Sequence, residues 1–194
     1  ALADANGFAA VTKRWDEDIT AERKPGEGTP AVGALLKDGG ITRLYSYVGE
    51  KNMVGCKNLS DPIWGESYAD KFVERAASDW TVVPKESYNC SIACSYDATV
   101  NSGKLAGFTA SMCGGGENIA MVGIEDPDEA LALTDHFDGM GIDSAVGGAL
   151  MGMCFELYER ELLSPQDTGG LELTWGNFEA AMTLVDQMCS GEGF

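Results

Sequence analysis

Two cysteines four residues apart, in Cys90-Ser91-Ile92-Ala93-Cys94, form the first feature with chemistry in it. On a loop or a helical turn this spacing can present both sulfurs to one metal centre. Two thiolates do not complete a site, and the position three before Cys90, where a CxxCxxxC pattern would carry a further thiol, is Ser87. On spacing alone a pair of buried free cysteines is the preferred reading. A second stretch, Asp138-Gly139-Met140-Gly141-Ile142-Asp143-Ser144, joins two helical patterns. Its glycines permit tight turning, and its carboxylates and N–H groups meet at a helix N-terminus, where polar ligand groups can be held. The same residues also read as a helix stop followed by a helix start. Glu117 follows three glycines and precedes the apolar Ile119-Ala120-Met121-Val122. A carboxylate half-desolvated on the rim of a glycine loop is a candidate proton carrier.

The remaining reactive residues read as structural. His136, the single histidine, lies in a helix of mixed polarity and is expected at the surface or in packing. Cys56, Cys113, Cys154 and Cys189 are expected in the core, and Trp15, Trp64, Trp80 and Trp175 are expected to pack rather than to bind substrate.

Composition narrows the partners. Asp and Glu number 31 against 13 Lys and Arg, a net charge of −18 over 194 residues, which repels phosphate backbones and anionic membrane surfaces. Nucleic acid is excluded as a partner. With 44% hydrophobic and 23% charged residues the chain can bury a core. No run approaches the ~18 apolar residues of a membrane span, and no basic segment leads into an apolar one. Six scattered cysteines fit a reducing compartment better than a disulfide scaffold, so a cytoplasmic location is expected.

The elements that must position these residues are mainly helical. Residues 1–28 are polar, with little apolar periodicity, and are expected to be an extended or capping segment. Thr29-Pro30 predicts an N-cap and first helical position, with the helix stopping at Gly39-Gly40. Residues 41–62 read as loop with at most a short strand, 68–77 as a short helix, and 81–116 as irregular, the place where a site would be built. Asp126-Pro127-Asp128-Glu129 is a strong helix start, running to Asp138-Gly139. Asp143 or Ser144 then caps a helix whose stripe Val146, Leu150, Met153, Leu157 is predicted to face the core. Gly147, Gly148 and Gly152 on that helix predict close approach of another backbone or a cofactor. A last helix spans about Phe178 to Met188 and ends at Gly191. The expected fold is a mainly α, multihelical domain with irregular loops.

From Thr29 to Phe194 the order of motifs resembles the middle of the tungsten-dependent aldehyde:ferredoxin oxidoreductase family. The stretches that carry the resemblance are Tyr88-Asn89-Cys90-Ser91-Ile92-Ala93-Cys94, Glu117-Asn118-Ile119-Ala120-Met121-Val122-Gly123 and Asp138 to Ser144. They are followed by Phe155 to Leu163, Leu171 to Asn177 and Gly191-Glu192-Gly193-Phe194. The resemblance implies oxidation of aldehydes to carboxylic acids at a tungsten (or molybdenum) bis-pyranopterin, with electron transfer through a 4Fe-4S cluster to ferredoxin or another carrier. It implies metal-cluster ligands at Cys90 and Cys94 and pterin contacts at Asp138, Gly141, Ile142 and Asp143, with Ile in the place of Leu. It puts the proton-moving glutamate at Glu117.

The departures shape the expectations. Ser87 stands in place of the first cluster cysteine, and the stretch after Gly123 is shorter than in typical members. The N-terminal pterin domain and the C-terminal domain, with its fourth cluster cysteine, have no counterpart in a sequence that starts at Ala1. Residues 29–194 are therefore expected to be the helical middle domain alone, cut from a larger protein or encoded as a subunit. Alone it is expected to be inactive, and the missing domains or subunits are its expected partners. Two alternatives stay open: ring reduction like that of class II benzoyl-CoA reductase, and a non-catalytic helical module in a larger complex.

Overall fold

The computed structural model describes residues 3–22, 31–37, 39–51, 53–88, 90–112 and 119–194. In chain order they form α1 (Ala5–Ile19), α2 (Val32–Leu36), a 3-10 turn (Gly40–Leu44), α3 (Tyr45–Glu50) and α4 (Pro62–Ser78). Three strands follow, β1 (Trp80–Lys85), β2 (Ser95–Val100) and β3 (Thr109–Met112), then a 3-10 turn (Ala120–Val122). The chain closes with α5 (Pro127–Gly139), α6 (Ser144–Glu159) and α7 (Phe178–Ser190). The class is mainly α, as expected.

The irregular middle third resolves into an antiparallel meander in the order β1-β2-β3, with Lys85 opposite Ser95 and Tyr96 opposite Met112. The signal was present as alternation: Tyr96, Ala98 and Val100 are buried while Ser95, Asp97 and Thr99 between them are not. Three further expectations change. Residues 5–19 of the segment expected to be extended or capping are helical, with Asp4 capping the Gly7 N–H at 2.8 Å and Lys13–Glu17 and Arg14–Asp18 pairs along one side. No residue of α1 is buried, and Trp15, expected to pack, is exposed. Residues 41–62, read as loop, contain α3 and most of a 3-10 turn. The Thr29-Pro30 cap lies outside the described residues, as does the side chain of Trp64.

α5 is the centre of the packing, touching α4, β3, α6 and α7. It begins as its sequence predicts: Asp126 caps the Asp128 N–H at 2.9 Å and Pro127 fills the first turn. Its seven buried residues include Leu131, Leu133 and Phe137, which join Ile119, Ile124, Met151, Phe155 and Leu173 in one core. A second part of that core centres on Phe72 of α4, with Tyr45 and Trp80 edge-on at centroid distances of 4.7 and 5.1 Å.

Buried Asp128 ties these layers together. It accepts from Arg75 Nε at 3.0 Å and Arg75 Nη2 at 2.6 Å, and from Trp80 Nε1 at 2.7 Å. Arg75 also donates to the Ser102 carbonyl at 2.9 Å, so α4, β1, α5 and the β2–β3 connection meet at one carboxylate.

The face of α6 is the main correction. Val146, Leu150 and Met153, expected in the core, are 59%, 48% and 47% exposed, while Gly147, Gly148, Met151, Gly152 and Phe155 are buried. α6 is apolar on both sides, so its periodicity could not choose between them. The small-residue side goes inward because it allows the closest approach: a Cβ at Gly152 would lie 3.0 Å from the Met121 carbonyl oxygen, and one at Gly147 would enter the Phe137 ring. That close approach is what the glycines predicted.

Two stability measurements check this packing. Asp128→Ala leaves Trp80 N–H without its acceptor and the Arg75 guanidinium without its main partner, and should cost about 3 kcal/mol in urea unfolding; a loss below about 1 kcal/mol would contradict the central role of this carboxylate. Phe155→Ala should cost about 3–5 kcal/mol, while Leu150→Ser on the outer face should stay within about 0.5 kcal/mol of the parent.

Candidate functional site

The cysteine loop, residues 86–94, connects β1 to β2 and opens at the end of the sheet where Lys85 pairs with Ser95. Its shape is held by its own backbone and by the preceding 3-10 turn. Cys90 N–H donates to the Ser87 carbonyl at 3.0 Å, Cys94 N–H to Ile92 at 3.0 Å, and Ile41 N–H to the Cys94 carbonyl at 2.9 Å. Gly40 makes the last contact possible: with φ +58 it sits so close that a Cβ would lie 2.9 Å from both the Cys94 and Ser95 carbonyl oxygens. Both thiols are half-buried, and Cys90 Sγ lies 3.7 Å from the Ile92 carbonyl.

α5 delivers the second motif to the same end of the sheet. The helix closes in a Schellman turn, with Gly141 N–H donating to Asp138, Ile142 N–H donating to Phe137, both at 3.0 Å, and Gly141 at φ +74. Asp143 then caps α6, accepting from Ala145 and Val146 N–H at 3.0 Å. The helix-stop and helix-start reading is therefore realised, and it uses the N–H groups of Gly141 and Ile142 and the Oδ1 of Asp143. Asp138 takes no part in the capping through its side chain. It lines a cleft of about 290 Å³ with Lys85, Ser87, Ser95 and Ser111. Partial burial there raises the Asp138 carboxyl above its ordinary range, and the nearby charges of Asp135 and Asp143 add to it. Lys85 Nζ reaches Asp97 at 3.0 Å and the Ser111 hydroxyl at 2.7 Å, which fixes one wall of the cleft.

Cys90 opens elsewhere. It borders a cleft of about 550 Å³ shared with Thr12, Lys13, Trp15 and Asp16 of α1, so Ser87 and Cys90 line different cavities. Among the described residues no group of three or more His, Cys, Asp or Glu side chains is placed to hold a metal ion. Glu117 and Cys113 lie outside the described residues. The chain just after them is held by an unusual turn: Lys57, Asn58 and Leu59 are three successive residues at φ 45, 51 and 68, and the N–H groups of Lys57 and Asn58 donate to the Ala120 and Met121 carbonyls at 3.1 and 3.0 Å. The Asn58 amide also donates to the Glu156 carboxylate of α6.

The other cysteines divide. Cys56 is buried, its thiol pushed up to about 12 chiefly by burial and then by Asp61. Cys154 is half-buried and raised by burial alone, whereas Cys189, expected in the core, is exposed on the outer side of α7. His136 Nε2 pairs with Asp186 Oδ1 at 2.8 Å, a link between α5 and α7. The residues that sequence reasoning missed are Lys85, Ser95 and Ser111. The strand alternation in β2 was the one signal that could have located them, because it puts Ser95 at a strand end.

Comparison with known proteins bears on this arrangement. The family model described as "Aldehyde ferredoxin oxidoreductase, domains 2 & 3" matches residues 15–194. A tungsten-containing aldehyde ferredoxin oxidoreductase of Pyrococcus horikoshii is 23% identical over all of this chain and 31% of its own length. A protein of the same name from Thermococcus kodakarensis is 21% identical over 96% of this chain and 30% of its own. The aliphatic sulfonate oxidoreductase, WOR-like subunit, of Pyrococcus furiosus is 28% identical over 72% of this chain and 24% of its own. The chain thus spans less than a third of the length of these curated relatives.

The raised Asp138 carboxyl gives a test in pH. A carboxyl whose pKa rises on folding holds its proton more tightly in the native state, so its ionisation weakens the fold as pH climbs through the native value. Asp138→Asn should therefore raise Tm at pH 7, and the gain should vanish as pH falls below about 4, the ordinary aspartate range. Equal melting of the two proteins at pH 7 would contradict the crowding of this carboxyl.

Proposed function

Because the chain belongs to the aldehyde ferredoxin oxidoreductase family, we propose that it is the helical cofactor-binding part of a tungsten-pterin oxidoreductase. That enzyme oxidises aldehydes to carboxylic acids and delivers the electrons to ferredoxin or another acceptor. The observation that carries the reading is Asp138. Of the motif that resembles the family's pterin contact, this is the one carboxylate not spent on capping α6, and it lines a cleft with Lys85, Glu86, Ser87, Ser95 and Ser111.

That donor set suits a pterin. Asp138 would accept from ring or amino N–H groups, and Ser87, Ser95 and Ser111 would supply hydroxyls that donate or accept. Gly141, Ile142 and Asp143 act through the turn that aims Asp138, rather than by direct contact. When bound, the tungsten-pterin supplies the two-electron redox centre for the aldehyde carbon. Glu117 is proposed to take up one of the two protons released as an aldehyde and a water become an acid.

The 4Fe-4S cluster of the family is a different case. The described residues offer Cys90 and Cys94, half of the four donors such a cluster takes, and Ser87 lines a separate cavity. By themselves they do not make a cluster site. The remaining ligands would come from outside the described residues, and cytoplasmic location remains part of the proposal.

A second reading is favoured by the WOR-like subunit of Pyrococcus furiosus, which suggests the same domain as a subunit acting on an aliphatic sulfonate. Purification of the native assembly containing this chain, with metal analysis, should find tungsten or molybdenum together with iron; absence of all three sinks both readings. Turnover of an aldehyde panel with a redox dye supports the first, and turnover of alkyl sulfonates alone supports the second. Asp138→Ala should lower the tungsten content of the assembly, not only its rate.

A further inference from the structure

A cavity of about 470 Å³ lies at the far end of α6, away from the cysteine loop, between Tyr158 and the segment that carries Leu163, Leu173 and Trp175. Its volume falls in the range of small-molecule sites. We propose that it binds the ammonium group of a primary amine with an apolar tail, the head held by Glu159 and Glu161 and the tail against Tyr158, Leu163 and Trp175.

The walls are built before any ligand arrives. Ser164 donates twice to Asp167 Oδ2, from its N–H at 2.8 Å and its hydroxyl at 2.5 Å, and its Oγ accepts from the Asp167 N–H at 3.4 Å. The buried Thr168 hydroxyl donates to the Leu171 carbonyl at 2.6 Å. Gly176 N–H donates to Val122 at 2.9 Å, and the Trp175 ring lies 5.8 Å from that of Phe155. Leu173 is fully buried, so the floor is apolar core.

The mouth is negative from two sources. It sits at the C-terminal end of a 16-residue helix, where carbonyl dipoles point outward. Glu159 and Glu161 line it, and neither is in an ion pair among the described residues; Arg160 between them turns away to Glu156. An ammonium facing the two carboxylates is favoured by charge, and the aromatic walls favour a cation that carries an apolar tail.

Glu161 occupies a backbone conformation that favours glycine. α6 ends in a Schellman turn, with Glu161 N–H donating to Tyr158 at 3.0 Å and Leu162 N–H to Leu157 at 2.9 Å, and its left-handed residue is Glu161 at φ +58. At the corresponding ends of α5 and α7 the left-handed residues are glycines, Gly141 at φ +74 and Gly191 at φ +67. Glycine takes this conformation without the steric cost an L side chain meets. A glutamate there keeps its carboxylate at the cavity mouth at the expense of local backbone strain.

Calorimetric titration of the 194-residue chain at low salt tests the proposal, with 2-phenylethylammonium as probe and 2-phenylethanol and 3-phenylpropionate as neutral and anionic controls. The ammonium should bind about tenfold more tightly than the alcohol, and the propionate should not bind. Glu161→Gln should weaken the ammonium about tenfold, while Glu22→Gln, removing a remote charge, should leave it unchanged. Glu161→Gly should lose binding equally and yet raise Tm, because glycine relieves the turn. No binding of the ammonium, equal binding of ammonium and alcohol, or unchanged affinity in the two Glu161 variants would overturn it.

Discussion

One buried carboxylate organises this chain. Asp128 receives a two-pronged contact from Arg75 and a third bond from the indole of Trp80, and the same guanidinium reaches the backbone at Ser102. A charge in that position is tolerable only because each oxygen has a donor. The consequence is geometric: α4, the first strand, the β2–β3 connection and the start of α5 are fixed to one point. Phe72 packs beside it and holds Trp80 edge-on, so the polar knot and the aromatic cluster brace each other.

What the knot fixes at one end of α5 is used at the other. Once the first turn of α5 is anchored, its axis carries Asp138 to the end of the sheet where Lys85, Ser95 and the cysteine loop come together. The turn that follows spends its backbone N–H groups on the helix end and Asp143 Oδ1 on the next helix, while the Asp138 side chain lines the cleft beside the sheet.

α6 connects the two cavities of interest. Its glycine side lies against Phe137 and the Met121 carbonyl, closer than any larger residue would allow. Its N-terminus is capped by Asp143 beside the Asp138 turn, and its C-terminus ends in the strained Glu161. The polar cleft and the aromatic cavity therefore sit at opposite ends of one rigid element, each at a helix terminus where backbone groups lack intrahelical partners.

The sequence by itself determined the helical class, the start of α5 at Asp126-Pro127, the stop and restart between Asp138 and Ser144, the packing meaning of the α6 glycines and the family. These are local signals, written in caps, turns and motif order, and local physics is enough to read them. It left the sheet unread, because the three strands are short and interrupted by the cysteine loop, and only pairing with neighbours makes them strands. Tertiary structure alone decided which side of α6 faces inward, since both sides are apolar and the choice rests on how closely Met121 and Phe137 approach. It also decided that Ser87 and Cys90 part company: two residues three apart on a loop share a sequence motif, yet the turn between them sends one toward Asp138 and the other toward α1.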